Sequence, residues 1–327
     1  MTEPPRALAH PTFSFAFARD YWITLRPYLF FISGVSGTVG LSIYPNETTT
    51  HLVVAFAAFF FSYGLGQALT DVFQTDTDAI SSPYRPLTKG TITKRQVLTV
   101  SLAGLALCAA VFVALNPWNA VFSGLGVVGL ATYTFFKRRW WGGPVWNSCV
   151  VALLPIIGVL CNVPSLDAVF RDAATWAAMG SVFFSYAIFV LLGYFKDISA
   201  DRATGYQTLP VVFGWRASVY VSAVFLVFAV ASSALFFREV VTWNGEAVAP
   251  LTLSGLGVVL LSLAHVVMLR TRDEREAHRS IALVVRGYTL LHAGEASAAK
   301  PDLVIPAVIF CALFEVTLRA RPERSQI

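Results

Sequence analysis

Charge is what this sequence has least of. Only 13% of its 327 residues are Asp, Glu, Lys or Arg, against roughly 25% in soluble domains. Cysteine, histidine and methionine are also scarce, at four, five and three residues. Cys108, Cys149, Cys161 and Cys311 all fall in apolar stretches without paired spacing, which excludes a disulfide framework and reads as small core residues. The histidines are scattered and form no ligand pair, which argues against a zinc or haem site. The net charge of +5 resides largely in short loops, so nucleic acid is not an expected partner. The first twenty residues lack a continuous apolar core, so no cleavable signal peptide is expected. Phe13, Phe15 and Phe17 beside Arg19 suit the headgroup zone of a bilayer.

Apolar residues make up 56% of the chain, more than a soluble domain of this size can bury. They are grouped into stretches long enough to cross a hydrocarbon core as helices. The expected fold is an all-α polytopic membrane bundle around a central cavity. Its nine spans are placed near 23–44, 51–70, 97–116, 118–136, 144–162, 174–195, 217–237, 249–269 and 302–319. Residues 1–20 form an expected cytoplasmic or interfacial lead-in, 21–319 the membrane domain and 320–327 a tail. Ile281–Leu291 contains Arg286 and only eight apolar residues, and is expected to be an interfacial helix.

Loop charges set the orientation. Arg85, Lys89, Lys94 and Arg95 follow span two, and Lys137, Arg138 and Arg139 follow span four. Lys196, Arg202 and Arg216 follow span six, and Arg270, Arg272, Arg275 and Arg279 follow span eight. The odd-numbered loops are nearly bare, so the even-numbered loops are expected on the cytoplasmic side. A ninth span then leaves Arg319, Arg321 and Arg324 on the wrong side.

Two acidic clusters share that cytoplasmic face. Asp71, Gln74 and Asp78 are spaced i, i+3 and i+7, and Asp197 and Asp201 are spaced i and i+4, so each set is expected on one helix face. Their recurrence four spans apart suggests two four-helix pseudo-repeats. Acids are costly near a bilayer, and hard oxygen ligands on facing elements suit Mg²⁺ bridging a diphosphate. Arg85, Lys137, Arg138, Lys196 and Arg202 are candidate diphosphate ligands. Topology alone accounts for any one of these bases, but acids and bases together on one face suit a metal-diphosphate site. A solvated acidic loop is the competing reading of the acids, weakened by the same-face spacing recurring at equivalent points of the repeat.

These residues resemble the UbiA superfamily of intramembrane prenyltransferases. Its first motif, Asn-Asp-x-x-Asp-x-x-x-Asp followed by Arg-Pro-Leu and Gly, is matched by Thr70-Asp71, Gln74, Asp78, Arg85-Pro86-Leu87 and Gly90. Its second motif is matched by Asp197, Asp201, Gly205 and Thr208-Leu209-Pro210. Arg26-Pro27 and the run Tyr133–Arg138 agree as well. The resemblance implies nine helices around a lipid-open cavity and Mg²⁺-dependent ionisation of a prenyl diphosphate. The prenyl group then passes to a small acceptor, often aromatic. It further implies that Asp71, Asp78, Asp197 and Asp201 act through Mg²⁺ and that Arg85 and Lys137 hold the diphosphate. Thr70 replaces the motif's Asn and Gln74 one of its acids, while Asp76 adds an acid at i+5 from Asp71 and is a further metal candidate. Tyr133 is the aromatic chosen to face the developing cation. A membrane terpene cyclase, a carotenoid elongase and a transporter remain open alternatives.

Overall fold

The computed structural model describes residues 9–45, 48–241 and 245–321. Among these, the chain is helical with no strand. The helices are α1 (Phe15–Leu25), α2 (Phe30–Ile43), α3 (Thr49–Asp71), α4 (Thr75–Ser81), α5 (Pro86–Lys89), α6 (Lys94–Leu115), α7 (Asn119–Lys137) and α8 (Gly142–Val151). They continue as α9 (Leu153–Leu160), α10 (Leu166–Arg171), α11 (Ala173–Gly193), α12 (Ile198–Ala203), α13 (Leu209–Val240), α14 (Val248–Arg270), α15 (Ala277–Ala299) and α16 (Val304–Arg319). Eight segments are long and apolar enough to cross a bilayer, and Pro27–Ile43 is a shorter ninth. These nine coincide with the expected spans.

Local chemistry explains the interruptions. Pro155 has no N–H to offer the Val151 carbonyl, and the fifth span divides there into α8 and α9. Pro86 opens α5 and Gly90, at φ 78°, closes it, as the helix rules for Pro and Gly prescribe. Gly214, at φ 79° and ψ 179°, kinks α13 near its start.

α15 departs from the expected interfacial helix. It is 23 residues long, about 34 Å at 1.5 Å per residue, and is packed among α2, α11, α14 and α16. It starts beside the second acidic cluster, where Glu274 accepts from Ser199 N–H at 3.0 Å and Ser199 O–H at 2.7 Å. α16 then returns, and Phe310 and Phe314 meet Phe31 near the start of α2 in tilted and edge-on ring contacts. Low hydropathy concealed this helix because its polar side chains face protein. Ser181 donates to Glu295 at 2.5 Å, Glu295 bonds His292 at 2.7 Å, and His292 bonds Ser185 at 2.8 Å. All four residues are fully buried. With α15 crossing, Arg319 and Arg321 lie at the end of the bundle that carries the acidic clusters. Arg324 and the rest of the tail after residue 321 lie outside the described residues.

The boundary expected at residue 20 falls within α1. Ser14 caps this helix by accepting from Phe17 N–H at 3.1 Å. Asp20 is buried and accepts from Thr91 O–H at 2.6 Å, tying α1 to the loop after α5. Phe13 and Phe15 are fully or largely exposed, whereas Phe17 is buried and stacked on Tyr21.

Candidate active site

The first acidic cluster does not lie on one continuous helix. α3 ends at Asp71, the chain turns through residues 72–74, and Gln74, at φ −119° and ψ 17°, precedes α4. No Gly or Pro marks this break, so helical spacing alone could not reveal it. The second cluster has a similar build: α11 tightens into the 3₁₀ turn Tyr194–Lys196, and Asp197 is the hinge before α12. The two motifs meet where α4 touches α12, with Thr77 and Thr204 hydroxyls 3.3 Å apart.

A cavity of about 200 Å³ opens between them. Asp71, Gln74, Asp78, Asp197, Arg85, Lys137, Lys196 and Tyr133 all line it. Eight of the twelve residues predicted from sequence are therefore brought together. Asp201 is fully buried behind them, accepting from Thr208 O–H at 3.2 Å, with Lys137 Nζ 3.5 Å from its Oδ1. Asp76 and Arg138 instead pair with each other at 3.1 Å near the surface, and Arg138 lies 4.7 Å over the Tyr206 ring. Arg202 is exposed on α12. None of these last three lines the cavity: Asp76, two residues before Asp78 on α4, falls on the opposite side of that helix.

The lining is an alternation of acids and bases. Arg85 Nη1 lies 2.5 Å from Asp78 Oδ2 and 3.9 Å from Asp71 Oδ1. Lys137 donates to Gln74 Oε1 at 3.1 Å while facing Asp201, so one ammonium joins both motifs. Its Nζ also stands 5.5 Å and 5.3 Å from the Tyr194 and Tyr206 ring centres. Burial pushes the Asp78 carboxyl above its usual range despite the pull of Arg85. Burial likewise pushes Asp201 up to about 6, against the pull of Lys137. Burial opposes the charge on Arg85, but Asp78 and Asp71 outweigh it and the guanidinium stays protonated.

Sequence reasoning missed Arg26 as a site residue. Arg26 Nη2 donates to Asp71 Oδ2 at 2.6 Å, and Gln67 Nε2 donates to Asp71 Oδ1 at 2.8 Å. Arg26 is the one non-glycine residue with positive φ among the described residues, at φ 52° and ψ 73°, a backbone state that is uncommon for non-glycine residues. The available signal was a charged residue directly preceding Pro27 and an apolar span. Two hydroxyl pairs were also missed. Tyr133 and Tyr194 lie 2.9 Å apart, and Tyr63 and Tyr186 lie 2.8 Å apart, all four on the cavity wall.

The donor set fits Mg²⁺ of a particular kind. Among the described residues, no three His, Cys, Asp or Glu side chains converge into a ready-made cage. Mg²⁺ commonly uses one or two carboxylates, several waters and substrate phosphate oxygens. Asp71, Asp78 and Asp197 offer such oxygens on the cavity wall, and the buried Asp201 Oδ1 has no hydrogen-bond donor. An ion shared with a bound diphosphate therefore suits these residues better than a resident one.

Comparison with known proteins agrees with this architecture. Residues 29–285 match the UbiA prenyltransferase family. Digeranylgeranylglyceryl phosphate synthase of Natronomonas pharaonis is 35% identical over 53% of this chain and 60% of its own length. The enzyme of that name from Thermococcus kodakarensis is 26% identical over 79% of this chain and 90% of its own. A UbiA homologue from Archaeoglobus fulgidus, solved with DMAPP and Mg²⁺, superposes with a TM-score of 0.62 at 19% identity, covering 91% of this chain and 97% of that one.

Proposed function

The chain belongs to the UbiA prenyltransferase family and moves a prenyl group to an acceptor, and on that premise we propose which of its groups do so. The donor is a prenyl diphosphate, bound with its head between the two acidic motifs. Asp71, Asp78 and Asp197 would hold Mg²⁺ there once the diphosphate is bound, with the Gln74 carbonyl as a further oxygen and Asp201 behind them. When bound, the metal neutralises charge accumulating on the departing diphosphate.

Arg85, Lys137 and Lys196 supply fixed donors for the same oxygens. Arg26 and Gln67 hold the Asp71 carboxylate by both oxygens, so its direction is set before the donor arrives. Asp201 and Gln74 place the Lys137 ammonium between the motifs. The Tyr133–Tyr194 and Tyr63–Tyr186 pairs present ring faces and hydroxyls to the reacting carbon, where an aromatic face stabilises a cation by about 0.5–2 kcal/mol. The apolar wall beyond them keeps water from the allylic cation, favouring transfer over hydrolysis.

The acceptor proposed is a hydroxyl-bearing glyceryl phosphate lipid, the class suggested by the relatives' names. Supporting it, four cations (Arg26, Arg85, Lys137 and Lys196) line the cavity against three carboxylates, an excess suited to an anionic acceptor. The site faces the cytoplasm, by the distribution of loop charge.

The convergence of both acidic motifs on one cavity carries this reading. The test uses purified protein in nanodiscs with Mg²⁺ and labelled prenyl diphosphates, offered a glyceryl phosphate lipid or aromatic acceptors. Diphosphate release that requires the lipid and yields an ether product is expected, the C–O bond of the donor breaking, a new one forming to the acceptor oxygen and the acceptor's hydroxyl proton leaving with the diphosphate. A hydrocarbon product formed without acceptor would instead identify a cyclase.

A further inference from the structure

The cavity continues well beyond the charged residues, and its far wall is aromatic. On α7 its lining descends from Lys137 through Tyr133, Leu130, Val127 and Gly126 to Phe122. Charged groups are concentrated at the mouth, whereas Cys108, Ala109, Val150 and Leu154, together with the Ser123 hydroxyl, surround the deeper part. Phe112 and Phe122 are buried at the bottom. Phe112 is backed by Phe59, with ring centres 4.4 Å apart, and Phe59 is itself fully buried. A chain descending the cavity meets packed protein there.

Helix geometry gives the depth. Fifteen residues separate Phe122 from Lys137, about 22 Å of helix at 1.5 Å per residue. One isoprene unit adds four main-chain bonds of about 1.5 Å in zigzag, an advance of about 5 Å. The cavity thus matches about four units in extended form. Gly126 lies partway down, and a Cβ built on it meets no atom within 4 Å. Glycine inside a helix is destabilising relative to alanine, and no neighbouring atom requires it at this position.

We propose that Phe112 and Phe122 form a floor that limits the donor to about four isoprene units, and that Gly126 keeps the passage open to it. This inference rests on the donor site proposed above and adds the length of the chain it takes. The test compares kcat/KM for ten-, fifteen-, twenty- and twenty-five-carbon prenyl diphosphates in nanodiscs. The wild type is expected to lose about tenfold or more between the twenty- and twenty-five-carbon donors, the scale at which pockets discriminate added methylenes. Phe122→Ala and Phe112→Ala should each restore the longest donor by about tenfold. Gly126→Leu should depress the twenty-carbon donor by about tenfold and leave the ten-carbon donor within about twofold. If an alanine variant does not fold, Gly126→Leu decides alone, since its side chain enters open space. A wild type indifferent to length, or a folded Gly126→Leu protein with an unchanged profile, overturns the floor. A wild type that transfers no prenyl group from any donor overturns the site assignment instead.

Discussion

Asp71 is gripped from two sides, by Arg26 and Gln67, and approached by Arg85. Removing its charge while keeping its shape is therefore the sharpest probe of metal binding. Asp71→Asn and Asp197→Asn are each expected to lower turnover about 10²–10³-fold, the range for losing a preorganised electrostatic contact. Elution should remain close to wild type for both and melting for Asp197→Asn, whereas Asp71→Asn leaves the buried Arg26 guanidinium without its carboxylate and should melt lower. Activity near wild type at saturating Mg²⁺ would remove that residue from the metal site. Gln74→Asp places a carboxylate beside the Lys137 ammonium and should lower the Mg²⁺ concentration for half-maximal rate. Asp201 gives a pH test on metal-free protein. Its folded pKa, about 6, exceeds the usual carboxylate value, so between roughly pH 4 and 6 the folded state holds a proton that the unfolded chain has released. Its contribution to stability is therefore fully present at low pH and declines as pH rises to about 6, by at most ~1.4 kcal/mol per pH unit. Subtracting the Asp201→Asn melting profile from that of the wild type should expose this slope.

At the level of helices, the apolar spans were legible because nothing else in the chain has their length and composition. α15 was not, because its moment of burial comes from neighbours: Ser181 and Ser185 on α11 satisfy Glu295 and His292. Glu295→Ala strands Ser181 and His292 in the interior, at about 1–3 kcal/mol for an unpaired buried group. A lower melting temperature in detergent with the Mg²⁺ response unchanged is the expected result. The break at residues 72–74 contains no Gly or Pro and was invisible; the one before Asp197 follows Gly193 at the end of α11, and a single glycine in an apolar span does not by itself mark a break. Recognising the acids required only their spacing. Recognising Arg26, and the outward pairing of Asp76 with Arg138, required knowing where α1 ends and which side of α4 is covered.

For the whole molecule, the crossing of α15 fixes which loops share a face. The loop after α14 and the segment after α15 must lie on opposite sides of the membrane. Arg272→Cys should react with an impermeant thiol reagent only from the cytoplasmic side, and Asp302→Cys only from the other. Labelling of both from one side would return α15 to the surface. The loop arginines announced this orientation up to span eight. The conflict at Arg319 and Arg321 was the only sign in the sequence that a further crossing was needed.

The close approach of α14 and α15 has a consequence for biogenesis. A Cβ on Gly287 would sit 2.8 Å from the Gly257 carbonyl oxygen, and one on Gly257 would sit 2.5 Å from Leu291 N, so their backbones nearly touch, as small residues permit in bilayers. A helix carrying Arg286, His292 and Glu295 gains little by entering lipid alone. α15 is therefore expected to settle in the bilayer only when paired with α14 and with α11 receiving its polar side, and the close contact that the two glycines allow is what makes that pairing possible.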